Sequence, residues 1–279
     1  MRRAQRVLVL GSIVVLAIGV LPGTAGAAGP KGSDISRTSE GLDAMQAAAD
    51  SFRAQGSTVA VQDLTATRTD DGGVLVLRKG FSVTRTEDGY RVVTPRTDDN
   101  VNKSGVTALA GASWTLLGSQ CFAALFRGAS HMDTCYKRYK MAADGDAGKD
   151  YWRLDLYGTM FSEGRTLDWG WVAGDRDAGP ALSFVDFSPD ADVWQGCGNY
   201  SLSISVAGIG GGFGATFCEL NNISKSAGPA VGWFKDYWDW NIVIPTRDRD
   251  RKVAIIIGAS STQGTGSPTW GLSWNFAAH

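Results

Sequence analysis

The stretch from Cys197 to Cys218, CGNYSLSISVAGIGGGFGATFC, constrains the chain more tightly than any other. Polar and apolar residues alternate from Asn199 to Val206, and a glycine-rich run follows Ala207-Gly208. A reversal at Ala207-Gly208 sets Leu202 opposite Phe213, Val206 opposite Ile209, and Cys197 opposite Cys218. Strand alternation then gathers Tyr200, Leu202, Ile204, Val206, Ile209, Phe213, Ala215 and Phe217 on one face. The opposite face carries Asn199, Ser201, Ser203, Ser205, Gly210, Gly212, Gly214 and Thr216. A slip of one residue would destroy the segregation, so the pattern specifies one hairpin in one register. Ala-Gly is not the preferred turn dipeptide, and the glycines from Gly208 to Gly212 allow a bulge there.

The same punctuation recurs over the last two thirds of the chain. KRYKMAA and YWRLDLYGTMF flank DGDAGKD, TLDWGWVAG and PALSFVDF flank DRDAG, and DWNIVIP and KVAIIIGAS flank TRDRDR. Short strands with turn signals at this spacing predict a mainly β, antiparallel sandwich, jelly-roll-like and stabilised by disulfides, over 106–279. In the last run, Trp270, Leu272, Trp274 and Phe276 alternate with small or polar residues, which predicts one buried face and a C-terminus tied into a sheet.

Ahead of this region, residues 33–94 hold neither tryptophan nor cysteine. There Leu42, Met45, Ala49 and Phe52 mark one face of a helix that Gly56 stops, and three strand runs follow, separated by DDGG and EDG. The reading is a small α+β region, a helix with a three-stranded meander, joined by a polar linker at 95–105. It is either a permanent accessory or a pro-segment removed at that linker.

Residues 1–27 begin with Arg2, Arg3 and Arg6, continue through 15 uncharged residues from Val7 to Leu21, and end in Ala25-Gly26-Ala27. This is the pattern of a secretory signal peptide, shorter than the roughly 20 apolar residues of a membrane span. Its removal takes three arginines and no acid, moving the formal net charge from −1 to −4. That sign argues against a nucleic-acid partner. All four cysteines survive, and an exported chain with an even count predicts disulfides, here Cys121 with Cys135 and Cys197 with Cys218.

Asp144, Asp146 and Asp150 surround a glycine turn in DGDAGKD and offer oxygen ligands that calcium could use, although the same residues suit a plain turn. No other cofactor is expected. Two histidines, His131 and His279, leave no histidine-rich zinc site, and a catalytic triad would rest on His131 alone. Asp155, Glu163, Asp168, Asp186 and Glu219 lie in or near strands, where two carboxylates at the right separation would serve glycan hydrolysis.

All ten tryptophans lie at or beyond Trp114, more than a core of this size ordinarily needs. In GWFKDYWDWN, Trp233, Tyr237, Trp238 and Trp240 offer flat faces for sugar rings, with Asp236 and Asp239 as hydroxyl partners. The leading expectation is therefore a secreted binding protein for an extracellular polysaccharide or cell-surface glycan. Two rivals stand beside it. One is a secreted, pore-forming-like protein that contacts membranes by inserting the 197–218 hairpin, whose arms match a bilayer-crossing strand in length. The other is the hydrolase with paired carboxylates.

Overall fold

The computed structural model describes residues 32–95, 113–142, 146–163, 166–189, 198–217, 221–226, 233–239 and 250–278. The chain is mainly β and antiparallel, with one α-helix, α1 (Ser39–Ala54), among the described residues. Its strands are β1 (Leu64–Arg68), β2 (Val74–Arg78), β3 (Val83–Arg85), β4 (Tyr90–Val93), β5 (Ser113–Arg127), β6 (Ser130–Ala142), β7 (Lys149–Phe161) and β8 (Leu167–Ala178). They continue with β9 (Ser183–Ser188), β10 (Gly198–Val206), β11 (Ile209–Phe217), β12 (Asn221–Ser226), β13 (Trp233–Asp239), β14 (Arg251–Thr262) and β15 (Thr269–Ala278).

Two open sheets form a sandwich. The larger runs in the order β1-β2-β5-β6-β7-β14-β9 and the smaller β12-β13-β8-β15-β4-β3, while β10 and β11 pair only with each other. Between the sheets lie Phe122, Leu125, Trp152, Leu154, Leu156, Val172, Val253, Ile255, Ile257 and the alternating set Trp270, Leu272, Trp274 and Phe276, all buried as their period predicts. β15 pairs with both β8 and β4, so the C-terminal strand is held on both edges.

The larger sheet is buried on its second face as well. Successive residues of β14 alternate between the interior (Val253, Ile255, Ile257) and this outer face (Ala254, Ile256), which explains why the strand reads as a nearly unbroken apolar run. Two elements cover the outer face. α1 lies over the β1, β2, β5 and β6 end through Met45, Ala48, Ala49 and Phe52. The β10–β11 hairpin lies over β14 through Ile204 and Val206.

The N-terminal region supplies the expected helix and strands and distributes them. Its middle run divides at Gly80 into β2 and β3; β2 pairs with β5 in the larger sheet, and β4 pairs with β15 in the smaller. Leu42, expected on the buried face of α1, is 49% exposed, and Ala48 takes its place. The helix begins at Thr38, whose hydroxyl accepts from the Gly41 N–H at 3.1 Å, and ends before Gly56 at φ +80°. One sequence pairing is corrected: Asp175 to Ala178 of DRDAG extend β8 rather than turn, and β9 lies in the other sheet, so the link from Gly179 to Leu182 is a crossover between layers. The expected 1–27 leader and most of the 95–105 linker fall outside the described residues.

Candidate functional site

The hairpin predicted from alternation forms in the predicted register. Leu202 pairs with Phe213, Ser205 with Gly210 and Val206 with Ile209, without a bulge from Gly198↔Phe217 to the turn. The reversal is made by Ala207 at φ +50° and Gly208 at φ +78°, two left-handed residues in succession as a tight primed turn demands. Cys197 and Cys218 lie just outside the described residues. The other predicted bridge is present: Cys121 and Cys135 stand opposite each other across β5 and β6 and form a disulfide.

Each arm is nine residues long, and no residue from Gly198 to Phe217 is charged. Near the turn the two faces differ as expected. Ile204 and Val206 are buried against the outer face of the larger sheet, while Ser205, Ala207, Gly208, Gly210 and Gly212 are exposed. Docking depends on close approach: a Cβ on Gly258 of β14 would fall 2.5 Å from Val206 Cγ2 and 2.9 Å from Ile204 Cδ1. The Ser205 N–H reinforces this contact by donating to Asp186 Oδ2 of β9 at 2.7 Å.

The glycine-rich arm covers charge. A Cβ on Gly211 would fall 2.5 Å from Arg153 Nη1 and 2.7 Å from Trp114 Nε1. Arg153 donates through Nε and Nη2 to both carboxylate oxygens of Asp155, each at 2.6 Å, and its guanidinium stacks 4.4 Å from the Tyr139 ring centroid. Both members of the ion pair are buried. Burial raises the Asp155 carboxyl above its usual range, although Arg153 beside it opposes the shift. Trp114 Nε1 is buried without a hydrogen-bond partner.

A second buried polar group lies beneath α1. Asp133 on β6 accepts from the Ser51 hydroxyl and from Gln55 Nε2, the latter at 2.6 Å, and its Oδ1 has no hydrogen-bond partner. His131, stacked between Phe126 and Phe161, sets Nε2 3.5 Å from Ser51 Oγ and 3.9 Å from Asp133 Oδ1. Although this holds the three residue types of a catalytic triad, Ser51 gives its proton to the carboxylate rather than to the imidazole. The helix also covers the group. Desolvation pushes Asp133 up to about 7 and His131 down to about 4, so both are held towards their neutral forms. Sequence spacing gave no sign of this cluster, because Ser51 and Asp133 are far apart in the chain.

The remaining predicted residues are placed as follows. Trp233, Asp236, Tyr237, Trp238 and Asp239 lie on β13 between β12 and β8, with Tyr237 opposite Trp171 and Trp238 opposite Gly170. Trp240 lies outside the described residues. Four tryptophans elsewhere, Trp152, Trp171, Trp270 and Trp274, are buried and account for part of the aromatic excess.

Of the calcium candidates, Asp144 lies outside the described residues. Asp146 accepts from the Gly148 N–H and the Tyr151 hydroxyl, both at 2.9 Å, and Asp150 accepts from the Gly264 N–H at 2.8 Å and from Lys140 at 3.0 Å. Among the described residues, no three His, Cys, Asp or Glu side chains converge in a way that could hold a metal. Of the hydrolase candidates, Asp155 is committed to Arg153 and Asp186 to the Ser205 and Phe187 N–H groups, while Glu219 lies outside the described residues. Among the described residues, no helix is long and apolar enough to cross a membrane, a criterion that does not address strands.

No family model and no curated protein matches this chain. A solved structure titled "Pore forming protein" is similar over 71% of this chain and 90% of its own, at 5% identity and a TM-score of 0.33. At that level neither fold nor function is carried over.

Proposed function

We propose that this is an exported, membrane-active protein whose β10–β11 hairpin leaves the larger sheet and enters a lipid bilayer. The observation that carries this reading is the hairpin itself. It is an uncharged, two-faced strand pair in unbroken register, outside the backbone ladder of either large sheet, and stored with its described apolar side chains inward. A hairpin whose backbone groups are already paired internally can separate from a sheet face without breaking a ladder. Nine residues per arm approach the 9–11 that cross a bilayer as tilted strands. The exposed tip, Ala207-Gly208, is small and uncharged, so its passage escapes the penalty of moving an ionised group through hydrocarbon. In lipid, the apolar face would meet acyl chains, and the serine and glycine face would line a lumen shared between copies.

The test is dye release from vesicles by the mature protein and by a Val206→Cys/Gly258→Cys variant. The close approach of these positions places an engineered bridge where it fastens the hairpin to β14. Wild-type protein should release dye, the oxidised variant should not, and the variant left unbridged should release it. Equal release by the bridged and unbridged forms would show that the hairpin need not move. No release by wild-type protein from neutral or anionic vesicles would refute the membrane reading.

A further inference from the structure

We infer that the buried Arg153–Asp155 pair is the release spring of the hairpin: covering it keeps the docked state shallow, and uncovering it favours departure. This inference deepens the membrane reading and rests on it for its functional meaning, but the mechanical claim stands on the docked geometry. The pair sits on the outer face of β7, its members two residues apart and bidentate at 2.6 Å. Gly211 of β11 lies over its Arg153 end, too close to Nη1 to carry a side chain. Burying two charges sacrifices their hydration, and attraction between them recovers only part of it. Where the strand covers the pair it contributes little in return, because Gly210, Gly211 and Gly212 have no side chains to pack there. Trp114 Nε1, shut under the same strand without a partner, adds a second polar group that gains water when the strand leaves. The opposite arm supplies the restraint through Ile204, Val206 and the Asp186 hydrogen bond. The apolar side chains beside the turn, Ile209 of β11 among them, therefore hold the hairpin, while the glycine run over Arg153 loads it.

The spring is tested by replacing the pair with apolar residues of similar size, Arg153→Met with Asp155→Leu. Exchange of a buried ion pair for well-packed apolar side chains commonly stabilises the buried state, so amide hydrogen exchange across 198–217 should slow by about tenfold or more. Asp155→Asn, which leaves Arg153 buried without its counter-charge, should accelerate the same exchange. Unchanged or faster exchange in the double variant, with native circular dichroism, would overturn the inference. Where the double variant does not fold, acceleration by Asp155→Asn against no effect of an exposed Asp70→Asn control decides the question, and equal rates overturn it. Dye release separates this inference from the reading beneath it. Changed exchange in a protein that never permeabilises vesicles keeps the spring and removes the membrane role. Dye release with exchange indifferent to the pair does the reverse.

Discussion

Two covers share one sheet face, and they are attached in different ways. α1 presents Ala48, Ala49 and Phe52 fully buried, adds two side-chain hydrogen bonds to Asp133, and continues into β1 and β2 of the sheet it covers. The hairpin presents Ile204, Val206 and the partly buried Ile209 near its turn, a hydrogen bond to Asp186, and a glycine run over an ion pair. Full burial of an aliphatic side chain contributes about 1.5–3 kcal/mol, and the desolvation of each buried ion costs several kcal/mol. For the hairpin these magnitudes are comparable and opposed. The helix covers a cluster that is held towards neutrality, so its apolar gain is not offset in the same way. Covering a hydrophobic face therefore does not fix how firmly the cover is held; what else the cover shuts away from water matters as much.

The comparison breaks first at Phe52. Phe52→Ala empties a fully buried site under α1 and should cost about 3–5 kcal/mol of global stability in a denaturant titration. A loss under about 1 kcal/mol would mean that α1 is no more integral than the hairpin. Gly258→Ala attacks the other cover. Its Cβ would meet Val206 and Ile204 inside contact distance, and such overpacking costs about 1–3 kcal/mol. The loss should appear as faster hydrogen exchange across β10 and β11 and easier vesicle leakage, with a smaller change in the global melt. A global loss with hairpin exchange unaltered would show that the hairpin unfolds only with the whole molecule.

A smaller change sharpens the attachment of the helix. Thr38→Ala removes the hydroxyl that caps the Gly41 N–H and should cost about 1 kcal/mol, measured as a shifted denaturation midpoint. Hairpin exchange should stay at its wild-type rate, since the cap lies on the other cover. A matching acceleration at 198–217 would couple the two covers and remove the distinction between them.

Much of this architecture is legible in the residues. Alternation alone set the β10–β11 register, because the apolar and small residues segregate in only one pairing, and it set the buried face of β15 for the same reason. Local pattern fails where partners are distant. DRDAG looks like a hairpin turn, yet β8 and β9 separate because each completes a different sheet. The helix pattern misplaced Leu42 because the sheet beneath α1 accepts Ala48 instead, a preference set by tertiary packing rather than by helical period. The ion pair under β11 is written in sequence as an ordinary i, i+2 Arg-Asp on a strand. Only its cover makes it consequential, and a cover 58 residues away is invisible to spacing.

The smallest expected effect is a cancellation, and it lies beneath α1. Asp133 is raised to about 7 by burial, so its contribution is fully present below its unfolded value of 3.8 and is lost as pH rises through about 7. His131 is lowered to about 4 by burial, so its contribution is present above its unfolded value of 6.5 and is lost as pH falls through about 4. Between those limits the unfolded chain carries one proton on His131, and the folded chain carries one on Asp133. The pair therefore adds almost no slope to stability between roughly pH 4 and 6.5. Asp133→Asn removes one side of the balance: the variant should gain stability with rising pH by about 1.4 kcal/mol per pH unit relative to wild type across that window. His131→Gln should show the opposite slope. Urea titrations at several pH values measure both, and parallel pH profiles for wild type and Asp133→Asn would mean that the carboxyl beneath α1 is already ionised and that this cover, like the hairpin, is seated on charge.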